Sequence, residues 1–105
     1  MGGLPLSDDD WRNADMTALL DAILALETRE EAAAFLRDLC TRRELEEMRQ
    51  RWAVARLLAD GHPYREIAEI TGVSTATITR INQWLHHGMG GYRLALERLA
   101  GADTP

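Results

Sequence analysis

Lysine is missing from this chain, and all 12 basic residues are arginine. Any phosphate or guanine recognised here would therefore meet guanidinium forks, which pair in a bidentate way, and not ammonium point charges. The one cysteine, Cys40, excludes an intramolecular disulfide framework and fits a reducing, cytoplasmic setting. It has no C-x-x-C partner, and H-x-x-x-H spacing is missing too, so no metal site is expected. His86 and His87 are adjacent and diverge on a helix, where they suit a C-terminal end better than a shared ligand. No uncharged apolar run approaches the roughly 20 residues of a bilayer span. The N-terminus is acidic where a secretory signal would be basic, so neither a membrane partner nor a leader is expected. Nucleophile–base constellations and phosphate-cradling glycine loops are also missing, so the chain reads as no enzyme, with no catalytic residues and no cofactor.

Positive charge is scarce overall. Seventeen acids against 12 arginines give a net charge of −5, which opposes non-specific clinging to a polyanion. The imbalance is local. Residues 1 to 28 hold Arg12 against Asp8, Asp9, Asp10, Asp15, Asp21 and Glu27, whereas residues 29 to 105 carry equal numbers of arginines and acids.

What is present is helix pattern throughout, with no strand pattern and no internal repeat. The 105 residues make one domain, read as an acidic N-terminal segment 1–14, a helical domain 15–100 and a fraying tail 101–105. Ser7 or Asp8 can cap a first helix with Trp11, Met16, Leu19, Leu20, Ile23, Leu24 and Leu26 at helical spacing. Thr28 with Glu31, and Thr41 with Glu44, have capping-box spacing and open the second and third helices. The third is the longest, with a stripe of Leu45, Met48, Trp52, Ala55 and Leu58, ending near Gly61. Pro63 is placed in the first turn of the next helix, and a last helix follows Gly90 and Gly91. Trp11, Trp52 and Trp84 read as core anchors. The wide apolar arc of the first helix exceeds what so small a core covers, which suggests a homodimer.

The most informative stretch is Tyr64 to Leu85, YREIAEITGVSTATITRINQWL. Gly72 sits where a helix stops in a positive-φ residue. Ser74 or Thr75 can cap the helix that follows. Ile78 and Ile81 share a face and can pack on Ile67 and Ile70. The opposite face carries Thr75, Ala76, Thr79, Arg80 and Gln83, short, polar or basic side chains suited to base edges and phosphates. A solvated helix face would favour Glu, Lys and Gln over β-branched threonines. The layout is a helix-turn-helix whose second helix enters the major groove of double-stranded DNA.

The run ATITR, Ala76 to Arg80, resembles the recognition segment of the tryptophan repressor superfamily. The preceding LCTRRELEEMRQRWAVARLLADG, Leu39 to Gly61, extends the similarity. Within that superfamily the chain most resembles the small YerC/YecD-type branch. The resemblance implies an all-α, intertwined homodimer presenting two helix-turn-helix units to a palindromic operator. It implies that Arg65 reaches a guanine, that Thr75, Ala76 and Thr79 face bases, and that Thr77 contacts a phosphate, with Ser74, Arg80 and Gln83 in the same interface.

For a corepressor the resemblance places Thr41, Arg51 and Arg80 at ligand-holding positions. An arginine and a hydroxyl are what an amino-acid carboxylate needs. Ile81 stands where the family has a glycine, and Trp84 where it has a serine serving the ligand's amino group. Two bulky side chains there would fill the cavity, so tryptophan is not expected as corepressor. An ion pair with Glu47 is the plainer role for Arg51. Two other readings stay open: a ligand-gated repressor of amino-acid metabolism, and a helical protein-interaction module in which Arg65 and Arg80 are balanced by Glu66 and Glu69.

Overall fold

The computed structural model describes residues 11–102. Among these residues all regular structure is α-helical, in six helices. The chain divides into two compact units, residues 1–41 and 42–105.

The first unit holds α1 (Ala14–Ala25) and α2 (Arg29–Leu39). The cap of α1 is neither Ser7 nor Asp8, which lie outside the described residues, but Asn13. Its Oδ1 accepts the Met16 N–H at 2.9 Å, and Asp15 in the first turn suits the helix dipole. Trp11 consequently lies outside α1, 47% exposed, and Leu26 is the C-cap. The second start is as expected: Thr28 Oγ1 accepts the Glu31 N–H at 3.0 Å. The Glu31 carboxylate reaches back to the Glu27 N–H at 2.8 Å, one residue before the position a capping box uses. At the other end of α2 the Arg37 guanidinium donates to the Cys40 carbonyl at 3.1 Å, and Cys40 is the half-buried C-cap. No residue of α1 or α2 is buried, and Leu24 is 81% exposed.

The second unit holds α3 (Arg42–Ala59), α4 (Tyr64–Thr71), α5 (Thr75–His87) and α6 (Gly91–Ala102). Helix α3 packs on α4 and α5, α4 on α5, and α5 on α6. Val54 and Ala55 from α3, Ile67 from α4, and Ile78 and Ile81 from α5 are completely buried together, with Leu85 nearly so. Trp52 stacks on Tyr92 with ring centroids 6.2 Å apart and planes 16° apart, a pairing that holds α6 against α3.

Three expectations need correction. Val54, not only Ala55, is the buried contribution of α3, and Met48 of the expected stripe is 41% exposed. Ile70 is 59% exposed and stays out of the core. Pro63 is the residue before α4, with φ −71° and ψ 155°, and not part of its first turn. Helix α6 extends to Ala102.

The joints of this unit are built from backbone chemistry. Helix α3 ends in a Schellman motif: Gly61 N–H bonds to Leu58 O at 3.0 Å and His62 N–H to Leu57 O at 3.1 Å. Gly61 makes that closure at φ 88°. Helix α4 ends at Gly72, φ 75°, whose N–H returns to Ala68 O at 2.8 Å. An added Cβ at Gly72 would meet no atom within 4 Å, so the demand for glycine there is conformational, about 1 kcal/mol.

Candidate nucleic-acid interface

The turn between α4 and α5 is fixed by three side chains. Thr71 Oγ1 donates to Ile67 O at 2.7 Å and accepts the Val73 N–H at 3.2 Å. Val73 is half-buried against the core. Ser74 is the N-cap of α5, its Oγ accepting the Thr77 N–H at 3.2 Å. The first backbone N–H groups of α5, those of Thr75 and Ala76, have no intrahelical acceptor by helix geometry. They stand at the positive end of the dipole, where anions bind.

Helix α5 turns Ile78, Ile81 and Leu85 inward. That leaves Thr75, Ala76, Thr79, Arg80 and Gln83 exposed, together with Ser74 before them. All six are residues the sequence marks for the DNA face. Arg65 is exposed on α4 as well, two residues from the buried Ile67 and so on the opposite side of that helix.

Along one flank of α5 the polar groups form a chain. The Ser74 hydroxyl donates to Thr77 Oγ1 at 3.0 Å, and an Arg80 guanidinium N–H donates to the same oxygen at 3.3 Å. Thr77 Oγ1 thus accepts twice, and its own hydroxyl hydrogen is left to donate outward. A phosphate oxygen is an acceptor only, which suits the sideways, backbone-facing role expected of Thr77.

The acids near this face are differently engaged than the sequence suggests. Glu66 is hydrogen-bonded to His62 Nδ1, and Glu47 pairs with Arg43 at 3.8 Å rather than with Arg51. Both Arg43 and Glu47 are mostly exposed, so that pair adds little stability. His86 and His87 occupy the last turn of α5, where positive charge is favoured.

A cleft of about 400 Å³ opens between α3 and α5. Glu47, Gln50 and Arg51 line it from one side, and Ser74, Thr77, Arg80 and Trp84 from the other. Arg51 and Arg80, two of the three expected ligand positions, are thus brought together. Ile81 and Trp84, the residues expected to fill this space, both line it. Ile81 turns its bulk into the core and is 0% exposed. Trp84 is not a core anchor but stands at the wall, 50% exposed.

A glycine-turned helix pair, a capped second helix and an exposed face of hydroxyl, methyl and guanidinium groups define the helix-turn-helix class of DNA-binding regulators. Residues 14–100 match the family model described as Trp repressor protein. The chain is 40% identical over 96 residues to the uncharacterized protein YerC of Bacillus subtilis (strain 168), covering 91% of this chain and 92% of that one. It is similar to a TrpR-like protein from Eubacterium eligens ATCC 27750, with TM-score 0.84 and 40% identity over 88% of this chain and 95% of the other. It is equally similar in fold to a candidate Trp repressor from Staphylococcus aureus, with TM-score 0.84 and 39% identity over 90% and 95% of the two chains. The chain belongs to the Trp repressor family, in its YerC-type branch, and at the level of the family it is a DNA-binding regulator.

Proposed function

We propose that this protein is a sequence-specific transcriptional regulator that binds a palindromic operator as a cytoplasmic homodimer, without tryptophan as corepressor. The observation that carries the reading is the two-sidedness of α5, with Ile78, Ile81 and Leu85 inward and Ser74, Thr75, Ala76, Thr79, Arg80 and Gln83 exposed. In this reading Arg65 reads guanine, Thr75, Ala76 and Thr79 face bases, and Ser74, Thr77, Arg80 and Gln83 set the register on the backbone. The unburied apolar residues of α1 and α2 supply the surface that a second copy would cover. Two half-sites also compensate for the weak non-specific attraction expected of a chain at −5.

Effector independence is supported by how α5 is held. Its N-terminus is capped by Ser74 and its inner face is anchored by three buried side chains, one of them the Ile81 that replaces the family's glycine. One observation favours a second reading, a ligand-gated repressor: Arg51 and Arg80 line a single open cleft beside Trp84. Calorimetric titration separates the two, since specific tryptophan binding at physiological concentration would establish gating.

Capture of genomic DNA fragments by the full chain tests the main reading. An enriched motif with two-fold symmetry is the expected result. Recovery of no motif would leave a protein-interaction module as the better account, and a monomer by light scattering at micromolar concentration would remove the homodimer.

A further inference from the structure

The hydroxyl of Thr79 donates to the backbone carbonyl of Thr75 at 2.9 Å. A carbonyl oxygen can only accept, so the single hydroxyl hydrogen of Thr79 is turned back along its own helix. Staggering about the Cα–Cβ bond then puts the γ-methyl in a different well from the hydroxyl. An exposed threonine in this state offers a groove a methyl group and no donor. Ala76 lies three residues earlier on the same exposed face and offers only its β-methyl. The hydroxyls of Ser74 and Thr77 belong to a separate chain with Arg80 on the flank of α5. Between Ala76 and Thr79 the exposed face thus presents two methyls and no hydroxyl donor, with the Thr75 hydroxyl one turn before Thr79.

In the major groove the apolar group that a base pair presents is the C5-methyl of thymine. We infer that Ala76 and Thr79 select T·A pairs by methyl contact, leaving Arg65 to read guanine. The inference rests on the DNA-binding reading above and adds which base those two side chains prefer and by what force.

The test replaces thymines of the captured operator, one at a time, with deoxyuridine, which keeps every hydrogen-bonding group and removes the methyl. At the contacted positions binding should weaken by about fourfold per methyl lost, the value of one buried methylene. Two substitutions of Thr79 sharpen the result. Thr79→Val keeps the methyl without the hydroxyl and should bind within about twofold of the parent. Thr79→Ser keeps the hydroxyl without the methyl, should show the uracil-sized loss once in each half-site, and should no longer respond to uracil at the same position. Melting curves for both variants confirm that the fold is kept. Silence of every uracil substitution, or a larger loss with Thr79→Val than with Thr79→Ser, would overturn the inference in favour of hydroxyl readout. Capture of no motif at all defeats the DNA-binding reading first, and this inference with it, before any thymine is altered.

Discussion

Replacing Ile81 with alanine should destabilise the C-terminal unit by about 2–5 kcal/mol, the range for truncating a buried isoleucine. Ile81 is 0% exposed and is packed with Val54 and Ala55 of α3, Ile67 of α4 and Ile78 of its own helix. The truncation opens a cavity where three helices meet. For a domain of this size each kcal/mol shifts the midpoint by roughly 4–8 °C, so a thermal melt followed by circular dichroism should fall by about 10 °C or more. Trp84→Ala is the informative companion. Trp84 is larger but 50% exposed at the wall of the cleft, so its removal deletes less buried surface and should lower the melt by less. A larger loss from Trp84→Ala would mean that the indole, not Ile81, holds α5 in place, and effector independence would then need another basis.

That contrast also marks what the sequence could and could not disclose. Gly72, Ser74, Ile78 and Ile81 were legible because each position has a local requirement: a positive φ, an oxygen for a free N–H, or a repeat that selects one helix face. Helix α4 was harder. It has only eight residues, and Ile67, Ala68 and Ile70 spread over too wide an arc for periodicity to choose among them. Only its packing against α3 and α5 shows Ile67 inside and Ile70 59% exposed. The start of α1 was ambiguous because several capping side chains lie close together between Ser7 and Asn13. The open cleft was illegible for a different reason. The resemblance sets Ile81 and Trp84 at a glycine and a serine, which suggests lost volume, but how much is lost depends on which way both side chains turn. Their direction is set by the rotation of α5 about its axis, a tertiary property. The back-bond of Thr79 is likewise invisible in a letter code that shows the same threonine in either rotamer.

Arg65→Ala should produce the largest loss of operator binding with the smallest change in stability. Among the described residues Arg65 has no ion-pair partner. The neighbouring Glu66 is turned to His62. Its guanidinium is therefore free for DNA, and alanine in its place is at least as good a helix former, so the melt should stay within about 0.5 kcal/mol of the parent, as for other surface substitutions. A bidentate contact to guanine contributes roughly 1–3 kcal/mol of discrimination, which is about 5- to 150-fold in each half-site. In a homodimer both half-sites lose the contact, so the combined loss on a symmetric operator is roughly 30-fold to 2 × 10⁴-fold. Arg65→Lys distinguishes base reading from mere charge. Lysine keeps the positive charge but lacks the fork, so it should retain the salt dependence of binding while losing preference for guanine at one operator position. Fluorescence anisotropy at fixed salt, on operators with that guanine replaced, measures both quantities. If Arg65→Lys discriminates as well as the parent, and Arg65→Ala weakens all sequences alike while reducing the salt slope by about one per half-site, then Arg65 contacts a phosphate. The specificity of the protein would then rest on α5 alone.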